Sequence, residues 1–383
     1  MQVPQPPRTG SLTHISPSAY EASLNCLAKA VWYSTGERRI LPDQPTAILG
    51  TCFHTVLAAA NIGRFNGDLE RVRVSARDLF DEQAKFLYER AHPLLQAKFP
   101  SVERMPYYNL HRERATLHAA SISSTRPISN ISVDAGNEAV RGQSRSERQF
   151  ASRDGLIVGR PDYVDRTSGT VVDYKTGVIT DGQPSAVTEP EARQLRLYAY
   201  LVSEGGELVV SKGAIVRGDG RRIEIDIPKS AADAEASRAR AQLQAINAAG
   251  DAGKSFEDLA SPSPTNCSMC SCIPLCDAFW RDSKPEWAES CGVHVEGRVT
   301  ELNRTTIQDF RLVTLDVEVS RGTADCASVS LEQVPESWLT IRGSALPSVG
   351  DVVRLVHIRQ STSEAGVTIM RADKALTSVW VVP

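Results

Sequence analysis

The stretch GRPDYVDRTSGTVVDYKTG, residues 159–177, places Asp162 near the end of one β-rich run. After the short turn Arg166-Thr167-Ser168-Gly169 it places Asp173 and Lys175 on the next. Two carboxylates and an ammonium brought together by a hairpin are what metal-assisted phosphodiester hydrolysis needs. The carboxylates hold a divalent ion, and the lysine orients the attacking water and stabilises the crowded phosphorane that follows.

Outward from this hairpin, RQFAS, LIVGRPDYVD, TVVDYK and ELVVSKGAIVRGDGRRIEIDIP read as strands, the last pair turning at Gly218-Asp219-Gly220. The helix EPEARQLRLYAYLVSE interrupts them, and an Ala-rich helix over 230–249 follows. Strand, strand, helix, strand predicts a mixed α/β sheet with flanking helices. Upstream, SPSAYEASLNCLAKAVWYS reads as one helix with Ser16 as N-cap and Pro17 at its first position. TAILGTCFHTVLAAANIG is a buried helix carrying His54, and SARDLFDEQAKFLYERAHPLLQAKF is an amphipathic helix kinked near Pro93. Residues 1–15 are expected as a disordered tail and 120–146 as a long loop. After the linker EDLASPSPTN and a cysteine cluster, residues 291–383 carry five short strands with Gly, Pro and Ser turns. That is the texture of a small OB-like β-barrel. The expected division is a tail, a catalytic domain over 16–285 and the barrel over 291–383.

The 383 residues suffice for two or three domains, and no run of about 18 apolar residues predicts a membrane span. The polar, Pro-rich start lacks the apolar segment of a secretion signal, which places the protein in the cytoplasm. Net charge is −3, so nucleic acid would have to be held by local basic patches. Arg104 to Arg153, where Arg outnumbers acid two to one, is one such stretch, and a solvated loop is the competing reading. Four of the eight cysteines, Cys267, Cys270, Cys272 and Cys276, lie within ten residues. Crowding of that kind in a large chain without a signal segment reads as a metal site rather than disulfides.

Gln194 and Tyr198 stand four apart on the helix after the hairpin and share one of its faces. Asp162, Asp173-x-Lys175, Gln194-x-x-x-Tyr198 and the helical His54 after a glycine together form an order that resembles the RecB-like branch of the PD-(D/E)XK nuclease superfamily. AddB-type and CRISPR-associated adaptation exonucleases belong to that branch. The resemblance covers roughly residues 16–280. It implies a restriction-endonuclease-like fold in which His54, Asp162, Asp173 and the carbonyl of Tyr174 hold Mg2+ or Mn2+. Lys175 then activates water, and Gln194 and Tyr198 line the site and touch DNA. Taken singly, an Asp-x-Lys is usually a surface ion pair and an apolar-helix His a satisfied core residue. Glu147 is either a further acidic group of the site or the partner of a nearby arginine.

The triplet Cys267, Cys270 and Cys276, with Cys26 alone in the first helix, matches the pattern by which AddB-type nucleases hold a 4Fe–4S cluster. The resemblance therefore implies an iron–sulfur clasp joining the two ends of the domain. Four thiolates also suit zinc, and Cys272 lies inside the triplet as a competing ligand. Cys52, Cys291 and Cys326 read as packing residues. The barrel is open to two roles, single-strand binding or docking. The function expected is a metal-dependent DNA nuclease, an exonuclease on single strands or unwound ends in repair, recombination or phage defence. The resemblance implies a helicase or recombination protein as its partner, and this chain itself carries no G-x-x-x-x-G-K-[ST] segment. A non-catalytic DNA-binding or scaffold subunit is the alternative. Exo- or endonuclease action, polarity, DNA or RNA, and oligomeric state are left open by the residues.

Overall fold

The computed structural model describes residues 1–35, 41–124, 145–146, 148–177, 185–206, 208–362, 368–374 and 376–383. Its first part carries helices α1 (Pro17–Ser23), α2 (Leu27–Ser34), α3 (Pro45–Asn61), α4 (Leu69–Glu89), α5 (Pro93–Lys98) and α6 (Tyr108–Ser124). Strands β1 (Arg145–Ser146), β2 (Phe150–Ala151), β3 (Val158–Gly159), β4 (Tyr163–Asp165) and β5 (Thr170–Lys175) follow. Then come α7 (Glu189–Glu204), β6 (Lys212–Arg217), β7 (Arg222–Asp226), α8 (Lys229–Asp251), α9 (Pro264–Cys267), α10 (Asp277–Asp282) and α11 (Ala288–Cys291). The last part holds β8 (Val293–Ile307), β9 (Phe310–Gly322), β10 (Ser328–Pro335), α12 (Glu336–Leu339), β11 (Val352–Thr362), β12 (Thr368–Ala372) and β13 (Ser378–Val381).

Strand β5, buried along nearly its whole length, is the centre of a mixed sheet ordered β1-β4-β5-β6-β7. It runs antiparallel to β4 and parallel to β6, with α7 as the crossover between the parallel pair. Helices α1, α2, α7 and α8 cover one face of the sheet, where Val171 and Ile215 lie. Helices α3, α4 and α6 cover the other, against Val172, Tyr174 and Ala214. The expected mixed sheet with flanking helices is therefore present.

The five expected barrel strands are also present, and they close: β8, β9, β10, β12 and β11 pair in a ring. The ring is not wholly antiparallel, because β12 runs parallel to β10 where it closes. An unforeseen sixth strand, β13, pairs β11 on its remaining length. Val299, Leu315, Leu331 and Leu355 fill the interior. The barrel is joined to the sheet part by buried polar contacts. Arg354 of β11 donates to Glu296 of β8 at 2.8 Å and to the Pro274 carbonyl at 2.8 Å, and also bonds Asp277. Lys98 of α5 donates to the Thr377 carbonyl.

Several local expectations give way. The first helix is two: Cys26 is extended (φ −155°, ψ 112°) and caps α2. The kink near Pro93 is a complete break, with His92 accepting from Leu94 N–H to start α5. The run through Asp162 is split, because Pro161 has no N–H for the ladder and β4 begins only at Tyr163. Helix α6 extends to Ser124, within the expected loop, and residues 125–144 and 147 lie outside the described ones. The proposed extra carboxylate Glu147 and much of the Arg104–Arg153 stretch therefore go undescribed. Residues 1–15, expected as a disordered tail, are packed: Gln2 bridges Val381, Ile15 bridges Ile157 and is buried, and Leu12 exchanges hydrogen bonds with Asn247. Among the described residues no helix is long and apolar enough to cross a membrane.

Candidate metal centre and active-site cleft

Antiparallel pairing sets Tyr163 opposite Val172, so the next position outward sets Asp162 opposite Asp173. Opposed residues share a face, and Lys175, two further along, shares it too. That face looks towards α7. A capping box starts this helix: the Thr188 side chain accepts from the backbone of Glu191, and the Glu191 side chain accepts from Thr188 N–H. Gln194 and Tyr198 then project one turn apart. Gln194 Nε2 donates to Asp173 Oδ1 at 3.0 Å and to the Tyr198 hydroxyl at 3.0 Å. Its Oε1 accepts from Lys175 Nζ at 2.8 Å, and Lys175 also stands 2.8 Å from Asp173 Oδ2. Gly159 permits this closeness: a Cβ there would lie 2.7 Å from Leu201 Cδ1 and 3.2 Å from Tyr198 Cε1.

His54 arrives from the opposite layer. On α3, Gly50 approaches Thr176 so closely that a Cβ would meet Thr176 Oγ1 at 3.1 Å. One turn on, His54 Nδ1 lies 2.9 Å from Asp162 Oδ1. Asp162 Oδ2 accepts the Tyr174 N–H at 2.7 Å, and the Tyr174 hydroxyl accepts from Asn61 at 3.0 Å. The strand break at Pro161 leaves Asp162 reachable from both helical layers.

All six positions, His54, Asp162, Asp173, Tyr174, Lys175 and Gln194, line one cleft of about 520 Å³, and Tyr198 closes it. Asp173 is almost fully buried, and burial, helped by Asp162 and opposed by Lys175, pushes its carboxyl up to about 6. The Tyr198 hydroxyl is likewise pushed up by burial and by Asp173. Hard oxygen donors beside one imidazole form a donor set suited to Mg2+ or Mn2+. With the carboxylates turned to His54 and Lys175, no group of three or more His, Cys, Asp or Glu is arranged to hold an ion among the described residues. Two charged cleft residues escaped the sequence reading. Glu191 and Arg217 pair with each other at the rim, Arg217 Nη2 donating to Glu191 Oε2 at 2.9 Å. The capping-box spacing Thr188-x-x-Glu191 was the signal for the first; Arg217 had none.

A second cluster lies beyond α1 and α2. Cys26, Cys267, Cys270, Cys272 and Cys276 line one small cavity. Burial pushes the Cys267 and Cys276 thiols up to about 12, whereas a hydrogen bond from Cys272 brings Cys270 down to about 7. Cys26 thus lines one cavity with the late triplet although some 240 residues separate them, with Cys272 among them as a fifth thiol, but no three of these thiols are arranged to hold an ion among the described residues. A protein contact joins the two chain segments as well: Asn266 Nδ2 donates to the Asn25 carbonyl at 3.0 Å, while a second, local bond to the Ser261 carbonyl at 2.8 Å orients its side chain. Cys52 and Cys291 are buried, but Cys326 is exposed and is no packing residue.

The sequence model of the PD-(D/E)XK nuclease superfamily matches residues 14–277. No curated protein matches the chain. Among solved structures, one described as the crystal structure of SSO0001 is 19% identical, covering 49% of this chain and 84% of that one, with a TM-score of 0.23.

Proposed function

The chain belongs to the PD-(D/E)XK nuclease superfamily, and from that premise we propose that it is a metal-dependent deoxyribonuclease. Members of this superfamily are typically nucleases that hydrolyse phosphodiester bonds and usually use Mg2+ or Mn2+. The observation that carries the proposal is the closed set Asp173–Lys175–Gln194 facing Asp162–His54 across one cleft. His54, Asp162, Asp173 and the Tyr174 carbonyl are the ligands we assign to the ion. When bound, the ion supplies positive charge against the developing negative charge of the phosphorane. Lys175, held by Gln194, positions the attacking water and stabilises the same charge. Tyr198 fixes Gln194 and limits water on the α7 side.

We assign the exonuclease mode, on single-stranded or unwound DNA ends, and a role in repair, recombination or phage defence beside a helicase or recombination partner. Residues 16–285 form the nuclease unit in this reading, and 291–383 an OB-like barrel that presents a strand to it. Cys26, Cys267, Cys270 and Cys276 are the ligands of a 4Fe–4S clasp, supported by their common cavity. All eight cysteines are unpaired, which suits a reducing compartment, and we place the enzyme in the cytoplasm. The test is cleavage of 5′- and 3′-labelled single- and double-stranded DNA with Mg2+ or Mn2+, comparing wild type with Lys175→Ala. Metal-dependent cutting, lost in the variant, is expected, and the product ladder gives polarity. Full cutting by Lys175→Ala would reject the assignment of the site; no cutting by wild type would leave only a DNA-binding subunit.

A further inference from the structure

A second depression, of about 440 Å³, opens from the cleft and shares Lys175, Glu191 and Gln194 with it. It runs between the α1–α2 pair and the cysteine lobe, past Lys29 and Tyr33 on one side and Thr265 and Asn266 on the other. Its electrostatics are lopsided. Of its two carboxylates, Glu21 is held by Arg193 through two bonds of 2.8 Å, and Glu191 is held by Arg217. Of its two lysines, Lys175 is paired with Asp173. Lys29 has no carboxylate partner among the described residues and is shared with the Cys270 thiol, whose pKa it helps to lower, so the one ammonium of the groove without a carboxylate is Lys29.

We infer that this groove binds the single-stranded polynucleotide adjoining the scissile phosphate, with Lys29 as the contact to a neighbouring phosphate. The inference rests on the nuclease reading of the cleft. A volume of this size takes a nucleotide-sized group. Asn and Thr side chains offer hydrogen bonds to sugar and phosphate, and a tyrosine ring offers a face to a base. The opposite wall is the cysteine lobe itself: Lys29 and Asn266 line the groove on one side and the cysteine cavity on the other. Asn266, fixed between the Asn25 and Ser261 carbonyls, holds that wall against the gap between α1 and α2.

The test is Lys29→Gln in the full chain, read in two assays. The first is anisotropy of a labelled oligo(dT) without divalent metal, across a salt series. The second is Mn2+-dependent hydrolysis of bis(4-nitrophenyl) phosphate, a diester too small to reach the groove. Oligonucleotide affinity should fall about tenfold, as for loss of one charge-assisted contact. The slope of log affinity against log salt should shrink by about 0.7, while hydrolysis of the small diester stays at the wild-type rate. Lys29→Arg should restore affinity. Oligonucleotide affinity within twofold of wild type with an unchanged salt slope overturns the inference, and so does an equal loss of small-diester hydrolysis. If wild type hydrolyses neither the small diester nor labelled DNA given Mn2+, the nuclease reading fails, and the binding arm still decides whether the groove holds a strand.

Discussion

Replacing Asp173 by Asn should stabilise the metal-free protein while abolishing cleavage. The carboxylate is 4% exposed, and its pKa of about 6 stands above an ordinary 3.8. Because the folded value is the higher one, the folded state disfavours the charged form. The resulting cost is absent below about pH 4 and complete above about pH 6. At about 1.4 kcal/mol per pKa unit, the gap is worth about 3 kcal/mol at neutral pH. Asparagine removes that cost, in which the attraction of Lys175 is already included, and keeps an oxygen for Gln194, but it turns an amide N–H towards Lys175. Lys175 is one-third exposed and can turn to water, so a net gain of about 1–2 kcal/mol remains. In a chain of this size that is a rise of a few degrees in Tm. Thermal melts in EDTA at pH 7.5 should show the variant above wild type, with the difference narrowing towards pH 4.5. Excess Mn2+ should reverse the order, since only wild type gains by binding it, about 2.7 kcal/mol at a hundredfold excess over Kd. A variant that melts below wild type in EDTA at pH 7.5 would refute the claim that burial strains this carboxylate.

Two further outcomes are expected. Cys276→Ser should remove the visible absorbance of anaerobically purified protein and lower oligonucleotide affinity, yet leave hydrolysis of the small diester in place; a colourless wild type containing zinc would refute the iron assignment. Arg354→Ala should cost about 3–5 kcal/mol in denaturant unfolding, because it strands Glu296, itself 7% exposed, without its buried partner; a loss under 1 kcal/mol would mean that the junction is held by apolar contacts alone.

The parts of the fold that the sequence announced are those whose signals are local. The β4–β5 hairpin, α7 with its capping box, α3 and the five barrel strands each carry their own period and punctuation. Helix α6 was missed because its buried residues after Tyr108, namely His111, Ala115, Thr116, Ala119 and Ala120, are small or polar and make no apolar stripe. The gap between α1 and α2 depends on Asn266, 241 residues away from the Asn25 carbonyl it binds, and no window of sequence shows that. The same holds for the parallel β10–β12 closure. In the cleft, Asp162, Asp173, Lys175, Gln194, Tyr198 and His54 are spaced by elements that the sequence did show, and the structure brings them together. Arg217 and Lys29 reach their places only through packing between elements.

That difference separates two dependencies in the molecule. The cleft is built from β4, β5, α3 and α7, whose positions are fixed by the sheet and by close approaches at Gly50 and Gly159. None of its lining residues comes from 261–282. The groove does: Thr265 and Asn266 are its outer wall, and they stand directly before Cys267. Closing a loop of some 240 residues costs about 5 kcal/mol of chain entropy. The one hydrogen bond that spans it, from Asn266 to the Asn25 carbonyl, offsets about 1 kcal/mol of that. The remainder falls to the packing of Phe279 and Trp280 beneath the lobe and to whatever the five thiols bind. A ligand of those thiols therefore acts first on the wall that would hold the strand, and only through the strand on the bond that is cut.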